Sequence, residues 1–326
     1  MGAHRTQADA RHHRDRRPRL NREPMVDVLK QYHKGPSGES AEYWEDHWDE
    51  DDPADALARY ARDPLRAVFE AHVAPGDLLL EAGCGLAQYV VQQRQLGVRA
   101  IGLDFASETL LRVRRRDRDV PLVVGDINAL PFPDGVFDAY FSGGVVEHLE
   151  SGPEGALSEA ARVTRVGGVL LISVPYLSPL RKVLRPFKKT WRPTAAPCNS
   201  DAKTNGLFFQ YIFSPSRFEQ FLEQAGLIVR QRIGYGIVRG LRDAPLGLSR
   251  LLELRRRRQA AHPHREPESP LIAAAEPSRM VRLLIGEDDT MPVAGRAIPI
   301  LRDLVANMAM YVCERTARGF SASDRP

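Results

Sequence analysis

The sequence predicts an α/β fold built on a doubly wound, mainly parallel sheet. Between residues 76 and 175, short apolar runs alternate with amphipathic stretches of helical length, and this alternation is typical of βαβ units. The chain has 326 residues, of which 43% are hydrophobic and 27% charged, so it can bury a large core. The stretch Val169–Val174 is apolar but far too short to cross a bilayer. We therefore expect one enlarged domain or two modest ones, and no membrane-embedded protein.

The elements follow one another in the order that such a sheet requires. Strands are predicted at Leu78–Ala82, Arg99–Leu103, Pro121–Val124, Phe137–Phe141 and Gly168–Val174. Helices are predicted between them at Ala87–Leu96, Ser107–Arg115 and Pro153–Thr164. Further on, Pro215–Ala225 is an amphipathic helix pattern between an N-cap at Ser214 and a stop at Gly226. Leu227–Ile233 and Met308–Cys313 are the last predicted strands.

The flanking segments divide the chain into regions. Residues 1–24 are polar and rich in Arg and His, so we expect a disordered basic tail. Because residues 1–22 hold seven Arg and no apolar h-region, we expect no secretory signal there. Residues 25–75 are predicted to form an N-terminal helical cap. The core should comprise 76–233 and 307–315, with a lid at 176–213, an insertion at 234–306 and a tail at 316–326. The insertion contains the runs Arg255–Arg258 and His262–Pro270.

Charge and cysteine content narrow the class of protein. The 46 Lys and Arg exceed the 42 Asp and Glu by only four, so the pI near 9.0 does not by itself indicate a nucleic-acid-binding protein. Cys84, Cys198 and Cys313 are far apart and form no CxxC motif. This pattern indicates a reducing, cytoplasmic compartment and no cysteine-based zinc site.

An acidic segment precedes the predicted core. Residues 39–55 contain nine Asp and Glu and no Lys or Arg, interleaved with Tyr43, Trp44 and Trp48. The segment is either a solvated helix face whose aromatic rings dock on the domain, or a lid over a ligand site. In the second case Tyr43 and Trp44 would contact a substrate.

The first predicted strand ends in a glycine-rich turn. Glu81, Gly83 and Gly85 stand where the chain turns from strand to helix, and such a turn lets a ligand approach the backbone. Alone it is also an ordinary βα turn. Asp104 ends the next strand, where a carboxylate can accept hydrogen bonds from both ribose hydroxyls, although it could also cap the following helix. Two neighbouring strand ends therefore predict a nucleoside site.

The details of this site disfavour a dinucleotide. The dinucleotide motif requires a third glycine where this chain has Gln88, and Glu81 would repel a pyrophosphate while attracting an amino group. After the third strand, Asp126 offers a carboxylate to an adenine amino group and Ile127 an apolar contact to its ring. An adenosine that carries an amino acid fits these residues better.

On these motifs the chain resembles the class I S-adenosylmethionine-dependent methyltransferases of the small-molecule type 11 family. The matching stretches are Leu78–Ala87, Ile101–Phe105, Gly125–Pro131, Phe137–Leu149 and Val163–Pro175. The resemblance implies a Rossmann-like, seven-stranded sheet whose last strand is antiparallel, and S-adenosylmethionine as cofactor. It also implies roles in cofactor binding for nine residues: Glu81, Gly83, Gly85, Asp104, Phe105, Asp126, Ile127, Ser142 and Gly143.

The pair Glu147 and His148 resembles the family's "EH" signature near the acceptor. Histidine suits general-base work because its pKa lies near neutrality, and a neighbouring carboxylate can orient it. Alternatively, the pair anchors the turn and the helix after it. Some relatives hold a metal through E-x-x-E-H, but Gly144 replaces the first Glu here, so no metal is expected.

Residues 176–193 carry six Lys and Arg and no acid, with apolar residues at helical spacing. This basic amphipathic helix, which includes Arg181, could bind an anionic acceptor, contact an anionic membrane surface, or be a solvated helix packed on the core. The aromatic run Phe208–Phe213, which includes Tyr211, could wall the acceptor pocket or pack in the core.

The sequence thus predicts a methyltransferase that acts on oxygen or nitrogen of a small organic acceptor, natural-product-like or lipid-like. Two rival hypotheses stay open: an RNA methyltransferase, for which only scattered Arg runs speak, and a non-catalytic regulatory protein that binds the cofactor. No nucleic-acid partner is expected, because no base-methylation motif follows the fourth strand.

Overall fold

In the computed structural model, residues 27–34, 37–49, 63, 65–188, 190–194, 207–236, 300 and 302–317 are described. A seven-stranded sheet with the order β4-β3-β2-β5-β6-β10-β9 organises them. Its strands are β2 (Leu78–Ala82), β3 (Arg99–Asp104), β4 (Leu122–Val124), β5 (Phe137–Gly143), β6 (Thr164–Pro175), β9 (Leu227–Tyr235) and β10 (Met308–Arg315). The predicted α/β class and all seven strands of the Rossmann-like sheet are confirmed.

Helices cover both faces of this sheet. They are α2 (Arg66–His72), α3 (Gln88–Gln95), α4 (Ser107–Arg116), α5 (Glu154–Val163) and α7 (Pro215–Gln224). Strand β2 explains why two layers are needed, since its successive residues Leu79 and Leu80 belong to two different buried clusters. A central parallel strand is buried on both faces, which is why it is a continuous apolar run.

The last strand enters the sheet antiparallel, as expected. β10 lies between β6 and β9 and runs opposite to both, with Met308 opposite Pro175 and Tyr235. Five strands from β4 to β6 run parallel, so their carboxyl ends share one edge. Most of the predicted insertion, and both of its Arg-rich and Pro-rich runs, lie outside the described residues, as do the tail at 1–24 and Cys198.

A second, three-stranded sheet has the order β7-β1-β8 and corrects the prediction of a wholly helical cap. β1 (Val28–His33) pairs antiparallel with β7 (Trp191–Thr194) and with β8 (Leu207–Phe213). Only α1 (Ala41–Asp49) and α2 are helical in the described part of 25–75. β1 is a strand because it pairs with segments more than 150 residues away along the chain. Local periodicity does not reveal such partners.

The segment 176–193 is not one long helix, and this part of the prediction was wrong. Only α6 (Pro179–Leu184) is α-helical, and a 3₁₀ turn at Arg185–Phe187 follows it before β7 begins at Trp191. Pro186 contributes to the stop, because it has no N–H to continue the helical hydrogen bonds beyond Arg185.

Candidate active site

The carboxyl ends of the parallel strands surround a cavity of about 340 Å³. Such edges are where ligands bind in open α/β sheets. Residues after β2, β3, β4 and β5 all reach this one cavity, together with residues that precede or lie on α1. Its lining comprises Gly38, Glu39, Trp44, Trp48, Gly83, Gly85, Asp104, Phe105, Asp126, Ile127, Asn128, Gly143, Gly144, Val145, His148 and Leu149.

The two glycines after β2 are required by their surroundings. Gly83 has φ +81°, and a Cβ there would lie 2.4 Å from Val145 Cγ2. Gly85 has φ +49°, and a Cβ there would lie 3.0 Å from the Trp48 ring. Side chains at either position would combine a strained backbone with a clash. The turn therefore presents bare backbone to the cavity.

Asp104 connects the ends of β2 and β3. Its Oδ2 accepts a hydrogen bond from Gly85 N at 2.8 Å, and its Oδ1 accepts one from Ala106 N at 2.9 Å. The side chain is buried, and burial raises the pKa of the carboxyl although both hydrogen bonds oppose the shift. Each oxygen keeps a further lone pair, so the carboxylate can still accept bonds from a ligand in the cavity.

Glu81 lies behind the turn and does not line the cavity. It is buried, and its Oε2 accepts a hydrogen bond from Val90 N at 3.0 Å. Burial raises the pKa of Glu81 well above its ordinary value, and the nearby Asp104 charge adds to this shift. Glu81 therefore places the start of α3 relative to β2.

The predicted adenine contacts reach the cavity as expected from their strand ends. Phe105, Asp126 and Ile127 line it. Asp126 Oδ1 accepts hydrogen bonds from Asn128 N at 2.8 Å and from Asn128 Nδ2 at 3.1 Å. At the end of β5, Gly143 lines the cavity while Ser142 is fully buried beside it. The alternation of a strand sends these neighbours to opposite faces.

His148 is fixed in one tautomer by the structure. Its Nδ1 lies 2.7 Å from the carbonyl oxygen of Phe209, and because a carbonyl only accepts, Nδ1 carries the hydrogen. Burial lowers the pKa of His148 to about 4. The imidazole is therefore neutral at pH 7, and its Nε2 has a lone pair free to accept a proton.

Glu147 stands next to His148 but behind the cavity wall. Its Oε1 lies 4.0 Å from His148 Nε2, too far for a hydrogen bond. The side chain is buried, and burial raises the pKa of Glu147 to about 8. At neutral pH the carboxyl is therefore mostly protonated and does not compensate a charge on His148.

Comparison of the sequence with known proteins identifies its family. A family model for a methyltransferase domain matches residues 80–172, which run from β2 to β6. The malonyl-[acyl-carrier protein] O-methyltransferase of Serratia marcescens is 39% identical over 122 residues, covering 37% of this chain and 47% of that enzyme. The demethylmenaquinone methyltransferase of Mycolicibacterium vanbaalenii is 32% identical over 180 residues, covering 53% of this chain and 75% of that enzyme. The chain belongs to the class I S-adenosylmethionine-dependent methyltransferases.

The match to the Serratia enzyme spans about half of that enzyme's length. Among solved structures, the geranyl diphosphate C-methyltransferase of Streptomyces coelicolor A3(2) superposes with a TM-score of 0.44 at 17% identity, covering 88% of this chain and 91% of that one. Within the described residues of the methyltransferase, no cluster of three His, Cys, Asp or Glu could hold a metal ion. None of its described helices is long and apolar enough to span a bilayer.

The helix α1, here termed the cap helix, covers the cavity of the methyltransferase. Trp44 and Trp48 stand one turn apart and both line the cavity, and Trp44 Nε1 donates to Gly38 O at 2.7 Å. Tyr43 does not line the cavity, because its ring packs 5.5 Å from His33 and 5.8 Å from Phe209. In the described part of the acidic segment, residues 39–49, one helix face thus covers the cavity and the other is solvated.

Arg181 and Tyr211 lie away from the cavity. The Arg181 side chain is buried and donates to the carbonyl oxygens of Tyr176, at 3.2 Å, and Asn307, at 2.9 Å. Tyr211 is fully buried, and its hydroxyl donates to Glu150 O at 2.8 Å. Both side chains therefore hold the fold together, and the interpretation of the aromatic run as core packing describes Tyr211.

Seven lining residues were not singled out as site residues in the sequence: Gly38, Glu39, Trp48, Asn128, Gly144, Val145 and Leu149. Trp48 could have been chosen with Trp44, since residues four apart share a helix face. Gly38 carries no such signal. A Cβ at Gly38 would lie 2.3 Å from Phe209 O and 2.9 Å from His148 Nδ1, and only the fold brings those atoms there.

Glu147→Gln is expected to flatten the pH dependence of the free energy of unfolding between about pH 6.5 and 8. The pKa of Glu147 is about 8 in the folded chain against an ordinary 4.5. The folded state therefore binds more protons, and stability falls as pH rises, by at most about 1.4 kcal/mol per pH unit. His148 has the opposite effect on the free energy of unfolding, which it makes rise with pH. This effect is confined to pH 4–6.5, because the pKa of His148 is lowered.

Urea unfolding followed by circular dichroism at pH 6.5, 7.2 and 8 measures this slope. The exposed Glu154→Gln is the matched control and should keep the wild-type slope. Equal slopes in Glu147→Gln and wild type would show that Glu147 is ionised in the folded protein, contrary to the expected neutral carboxyl.

Arg112→Ala is expected to speed cofactor dissociation roughly tenfold. The Arg112 guanidinium, on α4, donates to Trp48 O at 2.6 Å and to Asp49 O at 3.2 Å at the carboxyl end of the cap helix. A hydrogen bond to a charged group contributes about 1.5–3 kcal/mol, but the Arg112 side chain is 26% exposed, and solvent screening reduces the two bonds together to about 1.4 kcal/mol, or tenfold. Losing them should favour an open cap, which changes the off-rate more than the on-rate.

Stopped-flow fluorescence of Trp44 and Trp48 in a Trp191→Phe background follows this dissociation. Arg115→Ala, an exposed residue of the same helix, is the control and should leave the rate unchanged. An unaltered off-rate in Arg112→Ala would mean that the cap helix does not have to move for release.

Proposed function

We propose that the protein transfers the sulfonium methyl group of S-adenosylmethionine to oxygen or nitrogen of a small organic acceptor. The observation that carries the proposal is the convergence of four strand ends on one cavity, with Gly85, Asp104, Asp126 and Gly143 in its wall. We place this reaction in the cytoplasm, as the cysteine pattern indicates.

The charges of the cavity favour this cofactor over a dinucleotide. The charged side chains in its described lining are the carboxylates of Glu39, Asp104 and Asp126, and no Lys or Arg is among them. Carboxylates attract a sulfonium and an ammonium group and repel a pyrophosphate. Its volume of about 340 Å³ lies at the lower end of the range of ligand pockets, about 300–1,000 Å³.

Each lining residue has a distinct task. The cofactor, when bound, supplies an activated methyl group that leaves with the electron pair of its bond to sulfur. Asp104 is positioned to accept from ribose hydroxyls and Asp126 from the adenine amino group, while the bare backbone at Gly83 and Gly85 leaves room for the methionine portion. Alignment and exclusion of water contribute most to such a transfer.

The acceptor side is mainly apolar. Trp44, Trp48, Val145 and Leu149 wall the cavity, and their side chains exclude water from the reacting groups. We assign His148 Nε2 as the atom that faces the incoming nucleophile. It would take the proton that the nucleophile loses on methylation. An acceptor with a hydroxyl or amino group on an apolar body suits this wall.

A labelled-cofactor screen tests the proposal. The purified protein is incubated with methyl-labelled S-adenosylmethionine and cell extract, with and without a chelator, and labelled products are identified by mass spectrometry. Label in a small organic molecule, unaffected by the chelator, is the expected result. Label in RNA would favour the rival enzyme, and cofactor binding without any labelled product would favour a regulatory protein.

A further inference from the structure

The segment after β6 presents a surface that the methyl-transfer site does not use. Within 182–192, Val183 is 68% exposed and Phe187 is 75% exposed, and the two are four residues apart along the chain. Basic residues lie beside and between them in the sequence. We term this surface the basic face, and it consists of Lys182, Val183, Arg185, Phe187, Lys188 and Arg192.

Two features of the basic face are unusual for a solvated surface. Residues 176–193 contain six Lys and Arg and no Asp or Glu. In addition, a phenylalanine and a valine project into solvent from a short helix and turn, in which Leu184 is 5% exposed. Cations around projecting apolar side chains match an anionic bilayer, where the apolar groups enter the interface and the cations meet the headgroups.

The supporting scaffold holds the basic face in a defined shape. Ser178 caps α6 by accepting from Arg181 N at 3.4 Å, and the buried Arg181 guanidinium lies 5.5 Å from the Trp191 ring centroid. Lys188 Nζ lies 5.6 Å from the same ring centroid. Because this scaffold is formed in the free protein, docking would cost little ordering of the backbone.

The basic face also lies near the cavity. α6 starts four residues after the carboxyl end of β6, at the sheet edge where the cavity is found. Thr190 O accepts from Tyr32 N at 3.2 Å, and the next residue, His33, packs against Phe209, whose carbonyl holds His148. A surface that docks here therefore comes close to the acceptor side.

We propose that the basic face docks the protein on an anionic lipid bilayer, with Phe187 and Val183 inserted at the headgroup level. This docking does not depend on the proposed methyl transfer, since its residues are outside the cavity.

Sedimentation with vesicles of phosphatidylglycerol and phosphatidylcholine, 1:3, tests the proposal on the full chain. Wild type should sediment with these vesicles, far less with pure phosphatidylcholine, and less as salt is raised. Each basic residue near such a surface contributes about 1 kcal/mol, or roughly fivefold in partitioning. Lys182→Gln with Arg192→Gln should therefore reduce partitioning about 25-fold, and Phe187→Ser should reduce it roughly tenfold.

The control is Arg115→Gln with Arg118→Gln, which removes the same charge from exposed positions on α4 and just after it and should leave vesicle binding unchanged. Calorimetric S-adenosylmethionine affinity, equal in all variants, verifies that each is folded. No sedimentation of wild type, or equal losses in the control, would overturn the proposal. The proposal would also be overturned if the wild type bound an acidic protein but no vesicles, and if the same variants lost that binding. The basic face would then be assigned to a protein partner.

Discussion

Asp104→Ala is expected to weaken S-adenosylmethionine binding at least about tenfold. The carboxylate lines the cavity at the end of β3 and is the acceptor that we assign to the ribose hydroxyls. A hydrogen bond to a charged group contributes about 1.5–3 kcal/mol, and 1.4 kcal/mol corresponds to tenfold in affinity. Isothermal titration calorimetry with S-adenosylmethionine and with its demethylated product measures the change.

The same substitution removes the acceptor of Gly85 N and of Ala106 N, so Asp104→Ala should also lower the free energy of unfolding. Asp104→Asn keeps one acceptor oxygen and separates the two effects, because it should lose affinity with a smaller loss of stability. Asp119→Ala, at an exposed carboxylate outside the cavity, is the matched control. Unchanged affinity in folded Asp104→Asn and Asp104→Ala would remove the ribose assignment.

His148→Asn is expected to lower kcat about a hundredfold while leaving cofactor affinity nearly unchanged. The asparagine amide can donate to Phe209 O as Nδ1 does at 2.7 Å, but it has no group at the position of Nε2. General bases contribute about 10²–10⁴-fold. We expect the lower end, because a pKa of about 4 makes His148 a weak base.

His148→Gln is the complementary variant. It places an amide near the Nε2 position and loses the bond to Phe209, so it should reduce both kcat and thermal stability. If His148 is only an anchor, His148→Asn should keep kcat and His148→Gln should lose it. The acid limb of the wild-type kcat/KM profile, which reports the free enzyme, should lie near pH 4 and not near the ordinary 6.5. A limb near 6.5 would contradict the buried, neutral imidazole.

Those two predictions depend on different amounts of sequence information. Asp104 could be chosen from the sequence because it ends an apolar run nineteen residues after Gly85, and the ends of neighbouring parallel strands meet at one edge. His148 could be found through its motif, but its tautomer could not. The carbonyl that sets the tautomer belongs to Phe209, 61 residues further along the chain.

In the basic segment, residues 176–193, the sequence also failed to predict which side chain is buried. The segment's charge and apolar spacing indicated a basic amphipathic helix, and left open whether Arg181 binds an anionic acceptor, contacts a membrane or belongs to a solvated helix. In the structure, Arg181 is buried because the carbonyl of Asn307, 126 residues away, accepts its guanidinium. A sequence pattern records which residues are charged, but it does not record which backbone acceptors the fold will bring to them.

By itself the sequence determined the order of strands and helices from β2 to β6, and it predicted which strand ends line the cavity. These features follow from local periodicity and from turn glycines such as Gly83 and Gly85, which each segment carries within itself. Only the tertiary structure decided that β1 pairs with β7 and β8, that Trp48 lies over Gly85, and that Arg112 holds the cap helix. Each of these contacts joins segments distant along the chain, and its partners are selected by packing of the whole domain, which no local pattern encodes.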